Sequence, residues 1–365
     1  MTIIHVSTPD TWRGGEQQVA YLATEFAVLG IPQVVVCPLN SPLEKFCREK
    51  GITVSTFRCR IFFKLWLAYR LTCLCRKYAG AILHTHDSHA HTAAVISAFF
   101  FLNKAPLVVH RRVDFPIGKN VFSQVKYNHP GVKRILCVSD KIREITGKDI
   151  RNKKKLVTIY SGIDLQRFAK ANSHGILRKQ YQLTEKNLLI GNVSAIAPHK
   201  DYYTFVDTAE LLSQINPDFR FFIIGDGPEK ENIRNYICKK GLENRIILTG
   251  FLSNIPEILP ELDVFLITSE TEGLGTTLLD AFACRVPVVA TAAGGIPEIV
   301  RDRVTGLLAP VKAPEKLASA VLTLLNEPQL KENLIENAFL LLQDFSTSEM
   351  AKKTLQIYKE VIKHQ

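Results

Sequence analysis

No two cysteines of this 365-residue chain stand in a C-x-x-C spacing, although eight are present, at 37, 47, 59, 73, 75, 137, 238 and 284. That removes the commonest zinc and thioredoxin signatures, and their mostly apolar or basic surroundings read as reduced thiols of a cytoplasmic protein. Long apolar runs are missing too. The most lipid-like, Ala93 to Leu102, is about ten residues against the roughly 20 that a spanning helix needs, so no bilayer crossing is expected. Met1 to Ser7 lacks the basic segment and apolar stretch of a secretory signal, and export by that route is not expected. Neither a low-complexity tract nor a long-period repeat occurs. A full G-x-G-x-x-G is also lacking, since Gly225–Asp226–Gly227–Pro228 stops after its second glycine, which leaves a dehydrogenase reading weak.

What is present describes a globular protein. Apolar residues make up 46% and charged residues 22%, which excludes collagenous, disordered and disulfide-scaffold classes. The length fits two domains. Net charge is +11, and it is unevenly placed: residues 1–165 hold 24 Lys+Arg against 11 Asp+Glu, whereas residues 166–365 hold 22 against 24. A half of net +13 suits an anionic surface, whether membrane, nucleic acid or phosphorylated substrate; the plainer alternative is a solvated basic face.

Short β-branched runs alternate with helical patterns: Ile3–Ser7, Gln33–Cys37, Ala81–His84, Leu107–His110, Arg134–Val138 and Leu156–Tyr160 read as strands, with helices such as Gln17–Leu29 and His91–Leu102 between them. The pattern restarts with strands at Leu188–Val193, Phe219–Ile224, Ile246–Thr249, Val264–Thr268 and Val286–Ala290, and helices such as Tyr203–Gln214 and Glu229–Lys239. Such alternation predicts an α/β fold of two Rossmann-like, doubly wound parallel sheets facing each other across a cleft, with ligands outside the carboxyl ends of the strands. The turn Ser161–Gly162–Ile163–Asp164 places the boundary near 165, giving domains 1–165 and 166–345, with a final helical segment 346–365 after Asp344–Phe345–Ser346.

The strongest chemical signal runs from Ser269 to Phe282, directly after a predicted strand. A glycine-bearing loop that opens a helix presents free N–H groups to an anion, so Gly275, Thr276 and Thr277 form a natural diphosphate cradle. Glu272 precedes the helix and Asp280 lies eight residues on; two carboxylates beside a phosphate site suit sugar hydroxyls, one on a hexose and one on a ribose. Alternatively they are a helix cap and a solvated acid. Gly225–Asp226 and Gly294–Gly295 end two further strands, where N–H groups near a phosphate and simple tight turns are both open readings.

These motifs together resemble the retaining GT-B glycosyltransferases of family 4: ETEGLGTTLLDAFACRVPVVATAAGGIPEIV, the IIGDGP strand end, the YSGIDLQRF linker, the HKD loop and the early RGGEQQ. The resemblance spans nearly the whole chain. It implies a nucleoside-diphosphate sugar held mainly by the second domain as substrate, an acceptor held mainly by the first, no cofactor, and a last helix returning to the first domain. Glu272 would contact the donor hexose and Asp280 the ribose, the latter an Asp where the family usually has Glu. Lys200 matches the family's phosphate-binding Lys, while the usual Arg falls near Ala195, so that contact is missing. Gly14 and Gly15, in a loop after the first strand, match the glycine pair that lets backbone approach the donor. The chain has no Asp-x-Asp triplet, the metal signature of the other major glycosyltransferase fold, and metal-free catalysis is expected.

His110 ends a strand beside Arg111 and Arg112, where the family often has a His facing the reacting sugar. His84, His86, His89 and His91 invite a zinc reading, but on a strand end and the following turn they are expected to point in different directions, so no metal site is assigned. A wall of the acceptor pocket built from His86 and Asp87, with Arg111 and Arg112, is preferred. Arg58–Tyr78 interleaves Phe62, Phe63, Leu65, Trp66 and Tyr69 with Arg58, Arg60, Lys64, Arg70, Arg76 and Lys77, which suits an anionic membrane interface or a buried helix with snorkelling ends. Arg151 to Lys155 reads as a solvated loop.

The sequence therefore reads as a cytoplasmic, membrane-peripheral hexosyltransferase with UDP favoured as the nucleotide, a glycolipid or glycan acceptor, and no nucleic-acid partner. A sugar-nucleotide epimerase of the same fold and a non-catalytic basic membrane- or nucleic-acid-binding protein are the rivals.

Overall fold

The computed structural model describes residues 1–58, 63–118, 120–169 and 171–363. Cys59, Arg60 and Phe62, named above, lie outside them. The chain forms two compact units: Met1–Gly162 with Ser346–Gln365, and Ile163–Phe345.

The first unit is built on seven parallel strands: β1 Thr2–Val6, β2 Gln33–Pro38, β3 Val54–Phe57, β4 Ala81–Thr85, β5 Leu107–Arg111, β6 Val132–Cys137 and β7 Leu156–Thr158, in the order β3-β2-β1-β4-β5-β6-β7. Every residue of β4 and β5 is buried, as expected of strands covered by helices on both faces. The second unit has six: β8 Leu188–Val193, β9 Phe219–Ile224, β10 Ile246–Gly250, β11 Val264–Ile267, β12 Val288–Thr291 and β13 Leu307–Ala309, in the order β10-β9-β8-β11-β12-β13. In both sheets the order reverses beside the first strand, at β1/β4 and at β8/β11, and such switch points open a crevice for ligands at the strand ends.

Two strands escape the sequence reading, β3 and β13, with four and three residues. Both are edge strands, too short to show an alternation. The first helix runs from Gly14 to Val28, three residues earlier than expected, so Gly14 and Gly15 belong to its first turn and not to a loop. Similarly, the helix Ser88–Phe100 begins before His91 because Asp87 caps it, accepting from the N–H groups of His89 and Ala90.

The last helix, Thr347–Lys363, has Met350, Tyr358 and Val361 buried in the first unit's core with Ile3, Leu22, Phe26 and Ile82. Gly162, where the chain leaves this unit, is fixed by the Gln18 side chain, whose amide donates to its carbonyl at 2.7 Å and accepts from its N–H at 2.8 Å. A side chain at 162 would meet the Thr347 backbone at 2.9 Å, which accounts for the glycine. All seven described cysteines are free, and burial pushes the Cys47 and Cys137 thiols up to about 12. Among the described residues no helix is long and apolar enough to cross a membrane.

Five histidines of this unit are buried: His5, His84, His86, His91 and His110. Burial lowers His5 to about 3 and holds the other four well below the ordinary imidazole value. Each is neutral in the folded protein and charges in the unfolded chain below about pH 6.5, so its contribution to stability is complete above that value and is lost as pH falls. Thermal melts between pH 7.5 and 5 should therefore show a progressive loss, about 1.4 kcal/mol per pH unit for each buried imidazole. His91 stacks edge-on against Tyr127 at 4.7 Å, and His91→Phe should keep that contact while flattening the acid slope by about one proton. An unchanged slope would place His91 outside the acid-sensitive set.

Candidate active site

In the second unit the loop between β11 and the helix Thr276–Ala283 is held from both sides. On the β8 side, the Thr268 hydroxyl donates to the carbonyls of Lys200 and Asp201, at 3.2 and 2.9 Å, and the Glu270 N–H donates to the His199 carbonyl at 2.9 Å. On the β12 side, the Thr291 hydroxyl donates to the Ser269 carbonyl at 2.6 Å and the Gly295 N–H to the Glu272 carbonyl at 2.9 Å. These ties bring Lys200, which ends the turn Pro198–Lys200, onto the Glu272 carboxylate as an ion pair with both side chains about seven-eighths buried. Ser269 Oγ donates to the same Glu272 oxygen at 3.3 Å.

Gly275 caps the helix at φ +84°, and a Cβ there would meet Leu278 Cδ1 at 2.8 Å. The N–H groups of Thr276 and Thr277, in the first turn, have no partner within the helix. Asp280 stands in the next turn, half-buried. Burial raises its carboxyl to about 7 against the opposing pull of Arg167. Arg167 belongs to the YSGIDLQRF linker, but sequence reading gave that residue no role.

The glycine turns serve the loops first. At Gly294, φ +52°, a side chain would collide with the Glu272 carbonyl oxygen, and at Gly225, φ +148°, with that of Ser194. The Gly225 N–H is taken by the Gly250 carbonyl at 2.9 Å. The N–H groups of Gly225 and Gly295 are thus both bonded to backbone carbonyls. Asp226 is held by its own loop: it accepts from the Gly227 N–H at 2.8 Å and pairs with Lys230 at 2.9 Å.

In the first unit the strand ends gather imidazoles. Register sets His5 opposite His84, and alternate residues of a strand share a face, so His84 and His86 point the same way. Their rings lie 4.0 Å apart, with His110 at 5.4 and 5.8 Å from them. This corrects the expectation that the histidines diverge: only His89, exposed, and His91, against Tyr127, do so. One nitrogen each from His5, His84 and His86 lies within 4.8 Å of the others, a spacing that a metal ion could accept. The chemistry favours a neutral hydrogen-bonded cluster instead. His5 Nδ1 bonds His86 Nε2 at 3.1 Å, His84 Nδ1 bonds the Tyr358 hydroxyl at 2.5 Å, and the Arg112 guanidinium adds a positive charge beside His84, His86 and His110. Arg112 is itself lowered to about 10 by burial, with Glu16 opposing.

Asp87 ties two loops of the first unit together. Besides capping its helix, it accepts from the Thr8 N–H and hydroxyl at 2.7 and 2.6 Å, tying the loop after β1 to β4. Arg111 is likewise turned inward, onto the Tyr127 hydroxyl at 2.9 Å and the Phe115 carbonyl. Gly14 and Gly15 open their helix after Arg13, whose N–H donates to Glu16 at 3.0 Å.

Two Rossmann-like parallel sheets of order 3-2-1-4-5-6, one with a seventh strand, are the sheets of the GT-B fold class. Residues 174–340 match the model of the glycosyl transferases group 1 and residues 12–167 that of Glycosyltransferase Family 4. The chain belongs to this family of retaining hexosyltransferases and is a glycosyltransferase. It is 26% identical over 308 residues to the alpha-D-kanosaminyltransferase of Streptomyces kanamyceticus, covering 78% of this chain and 79% of that one. Over 285 residues it is 26% identical to the UDP-Gal:alpha-D-GlcNAc-diphosphoundecaprenol alpha-1,3-galactosyltransferase of Escherichia coli, 73% of each chain. Among solved structures, Anabaena Alr3699/HepE in complex with UDP and glucose superposes with a TM-score of 0.85 at 21% identity, over 99% of this chain and 100% of that one, a likeness of fold.

Two substitutions separate glycines that the backbone needs from those it does not. Gly294→Ala should cost about 2 kcal/mol or more, whereas Gly15→Ala, where a Cβ meets nothing within 4 Å, should change stability by less than about 1 kcal/mol. Equal melting temperatures for the two would refute the packing argument. Asp280→Asn should stabilise the ligand-free protein above pH 7, because a carboxyl raised to about 7 is ionised there at a cost the amide avoids. Melts at pH 8 read this directly, at about 2–4 °C per kcal/mol relieved.

Proposed function

We propose that the protein transfers a hexose from a UDP-sugar to a glycolipid or glycan acceptor, with the Lys200–Glu272 pair as the observation that carries the reading. In the free protein the two charges neutralise each other. A diphosphate brings more negative charge to Lys200 than one carboxylate does, takes the cation, and frees Glu272 to accept from the hydroxyls of the attached sugar. Lys200 and the first-turn N–H groups of Thr276 and Thr277 then face the diphosphate, whose charge grows as the glycosidic bond breaks, and fixed positive groups placed there lower the barrier. Asp280 accepts from the ribose. The complexes of HepE with UDP and with UDP-glucose support the choice of nucleotide, and the lipid-diphosphate acceptor named for the E. coli relative supports a lipid-linked one. His110 and Arg112 stand at the acceptor end of the first unit.

Peripheral attachment to an anionic membrane rests on the first unit's surface. The helix Phe63–Lys77 buries Leu67, Ala68, Leu71 and Thr72 and exposes Leu65, Trp66, Tyr69 and Cys73, with Arg76 and Lys77 at its end. Phe99, Phe100 and Leu102 are exposed at the end of the neighbouring helix. Basic residues meet lipid phosphates while rings enter the headgroup layer. Arg151, Lys153 and Lys154 add an exposed basic turn.

Glu272→Gln should leave UDP binding intact or tighter, because Lys200 loses its internal partner, while abolishing the extra affinity of UDP-hexose over UDP and cutting transfer by about 100-fold. Lys200→Ala should weaken UDP itself, and EDTA should leave transfer unchanged. A nucleotide-sugar panel that produces no thermal shift, where saturation at 100 times Kd adds about 2.7 kcal/mol, would overturn the reading. A new sugar nucleotide formed without acceptor would favour an epimerase. For the membrane, the full chain should sediment with vesicles containing anionic lipid at low salt and be largely released at high salt; failure to sediment at low salt assigns the charge to a soluble anionic acceptor.

A further inference from the structure

Beyond the β1/β4 crevice, the first unit holds a cavity of about 460 Å³ lined by Leu39, Phe57, Phe63, Trp66, Arg58 and Arg70, among others. Leu39 follows β2 and Arg58 follows β3, so the cavity opens at the same carboxyl ends of the sheet as the crevice. The order β3-β2-β1 sets it two strands from β1, about 10 Å at ordinary strand spacing. Its walls combine two chemistries. The Phe57 and Phe63 rings are stacked, 6.3 Å apart with 4° between their planes. Arg70 lies over the Trp66 ring at 5.0 Å, and its fork donates to the Thr56 carbonyl at 3.2 Å and the Ser55 hydroxyl at 3.1 Å. Both acceptors are neutral, so the guanidinium is oriented while its charge is uncompensated. Arg58, exposed at the rim, has no ion pair among the described residues. No carboxylate is among the described residues that line the cavity.

We propose that this cavity binds a phosphate ester on an apolar chain, Arg58 and Arg70 taking the phosphate and the aromatic walls the first part of the chain. This inference deepens, and rests on, the reading of a lipid-linked acceptor: the site holds the lipid phosphate while the sugar to be extended reaches the β1/β4 crevice. The apolar chain has a path outward, since Trp66 continues into the exposed face of Leu65 and Tyr69, and Tyr69 touches Phe101 at 5.7 Å. Two arginines with planar forks match a phosphate ester in a way that a neutral sugar or a bare hydrocarbon does not.

The chain has two tryptophans, so full-length protein carrying Trp12→Phe reports on Trp66 alone. Dodecyl phosphate below its micelle concentration should change Trp66 emission saturably. Binding should be about ten-fold tighter than that of inorganic phosphate or dodecyl maltoside, and about ten-fold weaker after Arg58→Gln or Arg70→Gln. Should Arg70→Gln fail to fold, Arg58→Gln, which removes no internal ion pair, decides alone. Equal affinity for dodecyl maltoside, or an affinity for dodecyl phosphate that Arg58→Gln leaves unchanged, overturns the proposal. UDP binding, followed in the same proteins by thermal shift, separates the two failures. Its loss from the unsubstituted chain strikes the transferase reading, whereas intact UDP binding without selective dodecyl phosphate binding strikes the cavity alone.

Discussion

Lys200 and Glu272 are 72 residues apart in sequence, and each is a conspicuous charge on a loop that could have faced water. They meet because β8 and β11 are neighbours at the point where the second sheet reverses its order. With both side chains largely withdrawn from solvent, their attraction is stronger than that of an exposed pair, and removing either leaves a buried charge without compensation. The loop ties follow from that constraint. Thr268 bonds the backbone on either side of the Lys200–Asp201 link, Thr291 and Gly295 hold the other flank, and Gly294 has no side chain because the Glu272 carbonyl passes where one would stand.

The first unit solves the opposite problem. It carries the whole basic surplus of the chain, yet its crevice is lined by imidazoles that burial keeps neutral. The cation beside them, Arg112, is opposed by Glu16, whereas Lys126 is held by neutral oxygens. Lys126, lowered to about 8 by burial and then by Arg111, donates to the Ser88 carbonyl and hydroxyl at 3.2 and 2.9 Å and to the Thr92 hydroxyl at 3.3 Å. Glu16 and Asp87, the carboxylates that act on these two cations, are themselves held by N–H groups, of Arg13 for the first and of Thr8, His89 and Ala90 for the second.

Much of this was legible in the chain. Central strands such as β1, β4 and β8 announce themselves as apolar runs, and Glu272, Gly275 and Asp280 stand out because a glycine-bearing loop opens a helix after a strand. What stayed hidden depends on register. Nothing in the spacing of His84 and His110 says that parallel pairing brings their rings together, and His5, 79 residues before His84, joins them only through β1. Arg167 lies within the quoted YSGIDLQRF linker, yet its effect on Asp280 arises only once that segment folds. Asp87 kept its structural role hidden for another reason. Its capping of the following helix and its bonds to Thr8 are local chemistry that a sequence offers as readily as a ligand contact.

The aspartate at 280 links these themes. A glutamate there would reach further toward solvent; the shorter side chain stays back in a site where burial raises its carboxyl to about 7. Ribose hydroxyls donate hydrogen bonds, and donation to a carboxylate favours its ionised form. With the ribose at Asp280 as proposed, binding near or below pH 7 should release a proton and grow tighter as pH rises through that range, levelling off once Asp280 is ionised in the free protein. The sign is the same as that of a phosphate at Lys200, since each proton it gains weakens the contact with the cation, but a nucleotide-sugar has no phosphate that titrates near neutrality, whereas the terminal phosphate of a free nucleoside diphosphate does so at about pH 6. Near neutral pH the pH dependence of nucleotide-sugar affinity thus reports on one carboxyl, and the half-buried Asp280 gives the second unit a titrating group in a range where the first unit's buried histidines have none.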